Sequence, residues 1–105
     1  MSAVDTIVAL STPPGESAIS LIRLSGPACG DLGQSITMRQ KPLEGRRAHY
    51  GKYLDIKGTE IDECIFTYFP NEQSFTGDPM LEISPHGNPL IVHKILTDLM
   101  ERGCR

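Results

Sequence analysis

Cysteine is scarce in this chain of 105 residues, and the three present, Cys29, Cys64 and Cys104, are odd in number and widely spaced. That pattern argues against a disulfide framework. No Cys-x-x-Cys pair occurs, and His49, His86 and His93 are scattered without ligand spacing, so no metal site is expected. Reduced, buried thiols are the expected state. A basic excess is also missing: 10 Lys and Arg stand against 13 Asp and Glu, for a net charge of -3. A stand-alone nucleic-acid binder shows a basic footprint, so direct nucleic-acid binding is not expected here. If RNA is the final substrate, another domain or protein must supply most phosphate contacts. The opening Met1-Ser2-Ala3-Val4-Asp5 has neither a cationic stretch nor a long apolar run, which is unlike a signal peptide. The apolar runs are far too short to span a bilayer, so no membrane role is expected. No Gly-x-x-x-x-Gly-Lys-Ser/Thr loop is present, which excludes GTP binding by that route. A Gly-x-Gly-x-x-Gly turn after a strand and a Gly-x-Ser-x-Gly elbow are likewise missing. There is no internal repeat and no low-complexity segment.

What remains is the composition of one small globular domain, 39% hydrophobic and 22% charged. A chain of this length buries roughly two thirds of the surface its unfolded form exposes, enough for one core and one site. Thr6 to Leu10 reads as a strand closed by the rigid loop Thr12-Pro13-Pro14-Gly15. Ala18 to Leu24 reads as a second strand. Gly26-Pro27 predicts a helix start with proline in the first helical position, over about Pro27 to Ile36, with Cys29, Leu32 and Ile36 on one side. Thr37 to Arg47 reads as a loop carrying the basic cluster Arg39, Lys41, Arg46 and Arg47, whose ordinary role is a solvated surface. His49 to Leu54 and Glu60 to Phe69 read as strands joined at Asp55-Ile56-Lys57-Gly58, where glycine supplies a positive φ. Cys64-Ile65-Phe66 is apolar on both faces, which predicts a central strand. Pro70 to Gly77 reads as a polar loop and Met80 to Ser84 as a fifth strand. Asn88 and Pro89 suit the cap and first position of a last helix, with Leu90, Ile91, Ile95, Leu99 and Met100 at helical period and Gly103 at its end. The order strand, strand, helix, strand, strand, strand, helix predicts an α+β fold with a mixed, mostly antiparallel sheet of about five strands.

Three places break the packing pattern. Arg23 shares a strand face with Ile19 and Leu21, while Ile22 and Leu24 claim the other. Glu82 lies between Met80 and Ser84 on the face opposite Leu81 and Ile83. Ser84-Pro85-His86-Gly87-Asn88-Pro89 is a strand-to-helix loop, a place where backbone N–H groups and side chains meet ligands. Arg23 and Glu82 could simply pair within one sheet, with His86 capping a neighbouring carbonyl. A buried ion pair gains little net stability, because desolvation cancels most of the attraction, so a ligand is the alternative to weigh.

Asp5-Thr6-Ile7-Val8-Ala9, Thr12-Pro13-Pro14-Gly15 and Ile22-Arg23-Leu24-Ser25-Gly26 resemble the opening of the MnmE/TrmE family. Phe75-Thr76-Gly77-Asp78-Pro79-Met80-Leu81-Glu82 followed by His86-Gly87 resembles its second signature, and the likeness runs over nearly the whole chain. Asp78-Pro79 replaces the usual acidic pair, and Asn88 replaces the second glycine after the histidine. The resemblance implies a fold similar to the folate-binding domain of the glycine-cleavage T-protein. It further implies homodimerisation and binding of 5-formyltetrahydrofolate or another one-carbon tetrahydrofolate. On the family pattern Arg23 and Glu82 are the cofactor-binding residues, and no catalytic residue is assigned. A carboxylate suits the paired N–H donors of a pterin, and an arginine suits carbonyl or carboxylate oxygens. The implied parent is a cytoplasmic GTPase that acts with the flavoprotein MnmG (GidA) on the wobble uridine of tRNA. Its helical domain and its GTPase domain, with GTP, magnesium and potassium, lie outside 1–105, as does a further folate-contacting basic residue. GTPase activity is accordingly not expected of this segment. Two other readings stay open: a dimerisation module that has lost its ligand, and a fragment of a folate-dependent aminomethyltransferase.

Overall fold

The computed structural model describes residues 6–11, 20–70 and 77–105. The Thr12 to Gly15 loop, the predicted strand start at Ala18 and Ile19, and Phe75-Thr76 lie outside the described residues. The elements are β1 (Ile7–Leu10), β2 (Ile22–Ser25), α1 (Cys29–Thr37), β3 (Ala48–Leu54), β4 (Glu60–Phe69), β5 (Met80–Ser84) and α2 (Pro89–Glu101). The strands form one sheet in the order β1-β2-β5-β4-β3, and all four strand pairings are antiparallel. Among the described residues Gly45 and Tyr68 form an isolated parallel bridge. The backbone of Arg105 adds to the free edge of β1, donating to Thr6 O at 3.0 Å and accepting from Val8 N at 2.8 Å. The α+β architecture expected from the sequence is the one observed.

The two faces of the sheet differ. Ile22, Leu24, Phe66, Leu81 and Ile83 point to one side, where Cys29, Leu32 and Ile36 of α1 and Val92, Ile95 and Leu99 of α2 close over them. This is the core, and burying each large apolar side chain there contributes about 1.5–3 kcal/mol. Gly33 lets α1 sit close: a Cβ there would lie 2.9 Å from Leu43 Cδ1. All three cysteines are free and buried. The β3–β4 turn has Gly58 at φ 85, as its sequence requires, and Asp55 Oδ1 accepts from Lys57 N and Thr59 N at 2.9 Å each.

Several details depart from the sequence reading. Proline does not open α1: Pro27 sits in a turn closed by Cys29 N donating to Gly26 O, and Ala28 is the N-cap. Ala28 O accepts the first helical hydrogen bond, from Leu32 N at 2.9 Å, and Ala28 N, which has no partner within the helix, donates to Thr6 Oγ1 at 3.1 Å. Strand β2 begins at Ile22. Strand β4 is central in the sheet, as its sequence predicts, with Ile65 on its helix-free side 42% exposed. In α2, Leu90 and Met100 are exposed, and the buried stripe is Val92, Ile95, Asp98 and Leu99.

Asp98 is the unexpected member of that stripe, at 3% exposure. Its carboxylate accepts from Tyr53 Oη at 2.7 Å, Ile56 N at 2.9 Å and Arg102 Nε at 2.8 Å. Arg102 also donates to Leu54 O at 2.8 Å and Ser35 Oγ at 3.1 Å. One carboxylate thus ties α2 to the β3–β4 hairpin, and through Arg102 to α1. Burial, and then the Asp98 hydrogen bond, push the Tyr53 phenol well above its ordinary range. Asp98→Ala would strand Arg102, Tyr53 and a backbone N–H, and is expected to cost about 3–5 kcal/mol, read as a lowered urea midpoint.

Burial is also the main cause that raises the Cys29 and Cys64 thiols from 9.0 to about 12. The folded chain holds these protons after the unfolded chain has released them. Their contribution is therefore complete below the unfolded value and is lost as pH rises through this window. Urea midpoints at about pH 8 and pH 10.5 should show the second lower, with Tyr53 adding in the same direction.

Candidate functional site

The sheet face turned away from the helices carries the residues that alternation had set apart. Register places them in rows. Ile7, Ser25, Met80 and Phe69 form one row, and Ala9, Arg23, Glu82, Thr67 and Ala48 form the next. Ser84, Ile65 and Tyr50 form a third. Arg23 and Glu82 are direct cross-strand partners. Arg23 Nε donates to Glu82 Oε2 at 3.0 Å, and a second guanidinium nitrogen donates to the same oxygen at 2.8 Å. The side chains are 38% and 23% exposed. Both contacts converge on Oε2, so among the described residues Glu82 Oε1 keeps its lone pairs for another donor.

The middle row is therefore polar at its centre, small at its ends and flanked by apolar rows. A planar ligand with hydrogen-bonding groups along one edge fits such a surface chemically. Its polar edge would meet a carboxylate acceptor and a guanidinium donor, beside the exposed side chain of Ile65 in the next row.

His86 lies just beyond β5. It does not cap a carbonyl, as the sequence had allowed. Its backbone N donates to Asp62 Oδ2 at 2.8 Å, and its Nδ1 lies 3.0 Å from Asp62 Oδ1. The same loop ends on Asn88, whose Oδ1 accepts from Leu90 N at 2.8 Å and Ile91 N at 3.4 Å, capping α2 as expected. The residue that departs from the family's glycine thus has a structural task. Asp62 and Asp98 were missed in the sequence; the signal for Asp98 is its place in the stripe between Ile95 and Leu99, with Arg102 one turn on.

The basic cluster on the α1–β3 loop is exposed and shows no carboxylate partner among the described residues except for Arg47, which pairs with Glu44 at 2.8 Å. His93 is exposed on α2. No group of three or more metal-ligating side chains occurs among the described residues. No described helix is long and apolar enough to cross a membrane.

A half-exposed ion pair contributes at most about 1 kcal/mol. Glu82→Gln should accordingly leave the urea midpoint within that margin, so that any loss of binding in this variant is read as loss of a ligand contact.

The family described as GTP-binding protein TrmE N-terminus matches residues 6–105. The chain is 39% identical over 104 residues to a tRNA modification GTPase MnmE of Pseudomonas aeruginosa (strain UCBPP-PA14), covering 99% of this chain. It is 46% identical over 101 residues to the protein of that name from Opitutus terrae, and 42% identical over 103 residues to that from Acinetobacter baumannii (strain AYE). The chain spans 22% of the length of each of these relatives.

Proposed function

The chain belongs to the TrmE N-terminus family, and from that premise we propose that it is the folate-binding and dimer-forming domain of a GTPase that modifies the wobble uridine of tRNA. The domain holds a one-carbon tetrahydrofolate, such as the 5-formyl form, against Arg23 and Glu82. The observation that carries this reading is the register of β2 on β5, which sets a carboxylate and a guanidinium side by side on the face free of helices. The Glu82 carboxylate accepts from the paired N–H donors of the pterin, one on each oxygen, as Arg23 gives up its hold on Oε2 and turns a donor toward a carbonyl or carboxylate oxygen of the same ligand. Likeness to the folate domain of the glycine-cleavage T-protein belongs to the same proposal. Exposed apolar residues on this face, Ile7, Ile65 and Tyr50, support its use as a contact surface between two copies.

GTP hydrolysis, with magnesium and potassium, belongs to a domain outside 1–105, as do the contacts to tRNA and to the flavoprotein MnmG. The setting is the cytoplasm, where three reduced thiols are at home. Asn88 acting as a helix cap removes one ground for reading the chain as a module that has lost its ligand.

Calorimetric titration of the full-length protein with 5-formyltetrahydrofolate tests the site. Saturable binding is expected, weakened at least about tenfold by Glu82→Ala, in line with the loss of a charge-assisted hydrogen bond. Absence of heat in the wild type, or equal affinity in the variant, discards the assignment. Sedimentation that shows a dimer without folate binding would select the interaction module instead.

A further inference from the structure

His86 is placed by more contacts than its loop requires. The backbone N–H bond to Asp62 and the Asn88 cap already fix the β5–α2 connection. The imidazole makes a further contact, its Nδ1 lying 3.0 and 3.1 Å from the two oxygens of Asp62. Asp62 is 10% exposed in its side chain, whereas His86 is 68% exposed. A buried carboxylate thus grips one edge of a ring whose other edge stands in solvent.

Chemistry fixes the tautomer. A carboxylate accepts and does not donate, so Nδ1 carries the hydrogen. The neutral ring then presents Nε2 outward as an acceptor, with its rotation set by two anchors to one group. Among the described residues nothing hydrogen-bonds to Nε2.

The ring borders a small cavity of about 110 Å³, shared with Ser84, Ile65 and Tyr50, the third row of the helix-free face. Ser84 lies two residues along β5 from Glu82, about 7 Å, on the same side of the sheet. A ligand seated on Arg23 and Glu82 and extending along β5 therefore comes to this cavity and to Nε2.

We propose that His86 is a third ligand-contacting side chain of the site, accepting an N–H of the bound reduced folate at Nε2. Asp62 is its positioning residue. The inference rests on the folate reading above and adds to it a residue, a tautomer and a direction for the ligand along β5.

Calorimetry with 5-formyltetrahydrofolate on the full-length protein tests it through His86→Asn. The asparagine amide can still reach Asp62 but offers nothing at the position of Nε2. Affinity should fall roughly tenfold, the scale of one lost hydrogen bond, with an unchanged urea midpoint. Asp62→Asn should weaken binding several-fold and, in a proton–nitrogen correlation spectrum of the imidazole, remove the predominance of the Nδ1–H tautomer. Wild-type affinity in His86→Asn overturns the inference while leaving the folate reading in place. A wild type that fails to bind overturns both. Should Asp62→Asn not fold, the His86 variant still decides.

Discussion

Arg23 and Glu82 stand 59 positions apart in the chain and become neighbours only because β2 pairs antiparallel with β5. The register of that pair is the constraint on which the candidate face depends. Side chains alternate along a strand, so a slip of one residue in β2 would turn Arg23 into the core and Ile22 and Leu24 into water. Two buried aliphatic side chains are worth about 1.5–3 kcal/mol each, and an unpaired buried guanidinium is costlier still. The core therefore holds the two charges in line. The ion pair itself, half exposed, adds little to that outcome.

The core and the proposed ligand site consequently occupy opposite faces of the sheet. On the helix side, Asp98 joins α2 to the β3–β4 hairpin through Tyr53, Ile56 and Arg102. The hairpin in turn carries Asp62, and α2 begins at Asn88, so the loop between β5 and α2 is gripped from both sides. The hidden network on one face thus determines where His86 stands at the border of the other. Changes at the helix-free face can alter binding without opening the core, while changes at Asp98 act on both at one remove.

The sequence was legible where a local rule suffices. Strict alternation set Arg23 and Glu82 apart from their apolar neighbours, and the structure puts them on one face. Asp55 to Gly58 specified its turn, and Asn88-Pro89 its helix start. Local rules failed where a distant segment intervenes. Pro27 has the features of a helix opener, yet the helix starts two residues on, and its exposed donor at Ala28 is met by Thr6, 22 residues earlier. Asp98 reads as an ordinary polar residue until Tyr53, 45 residues away, is seen to donate to it. Asp62 reads as part of a strand face until His86 arrives from 24 residues on. Cys64-Ile65-Phe66 pointed to a strand with neighbours on both sides, as β4 has, but its apolar run could not show that Ile65 lies on the face without helices and is 42% exposed.

The partial exposure of the Arg23–Glu82 pair has a physical consequence for the ligand. Opening a deeply buried pair leaves ions uncompensated in a poorly polarisable medium, at several kcal/mol for each. Here water reaches both side chains, so rearranging them about an incoming molecule is inexpensive. At the same time the pair is already oriented: two guanidinium nitrogens share Oε2 and leave Oε1 directed elsewhere. On the proposed reading the pair suits a ligand with both donors and acceptors, since each charge steadies the other until a better partner comes. On the same reading, a ligand bearing only one kind of group would have to leave one member of the pair without a gain, and would be disfavoured for that reason.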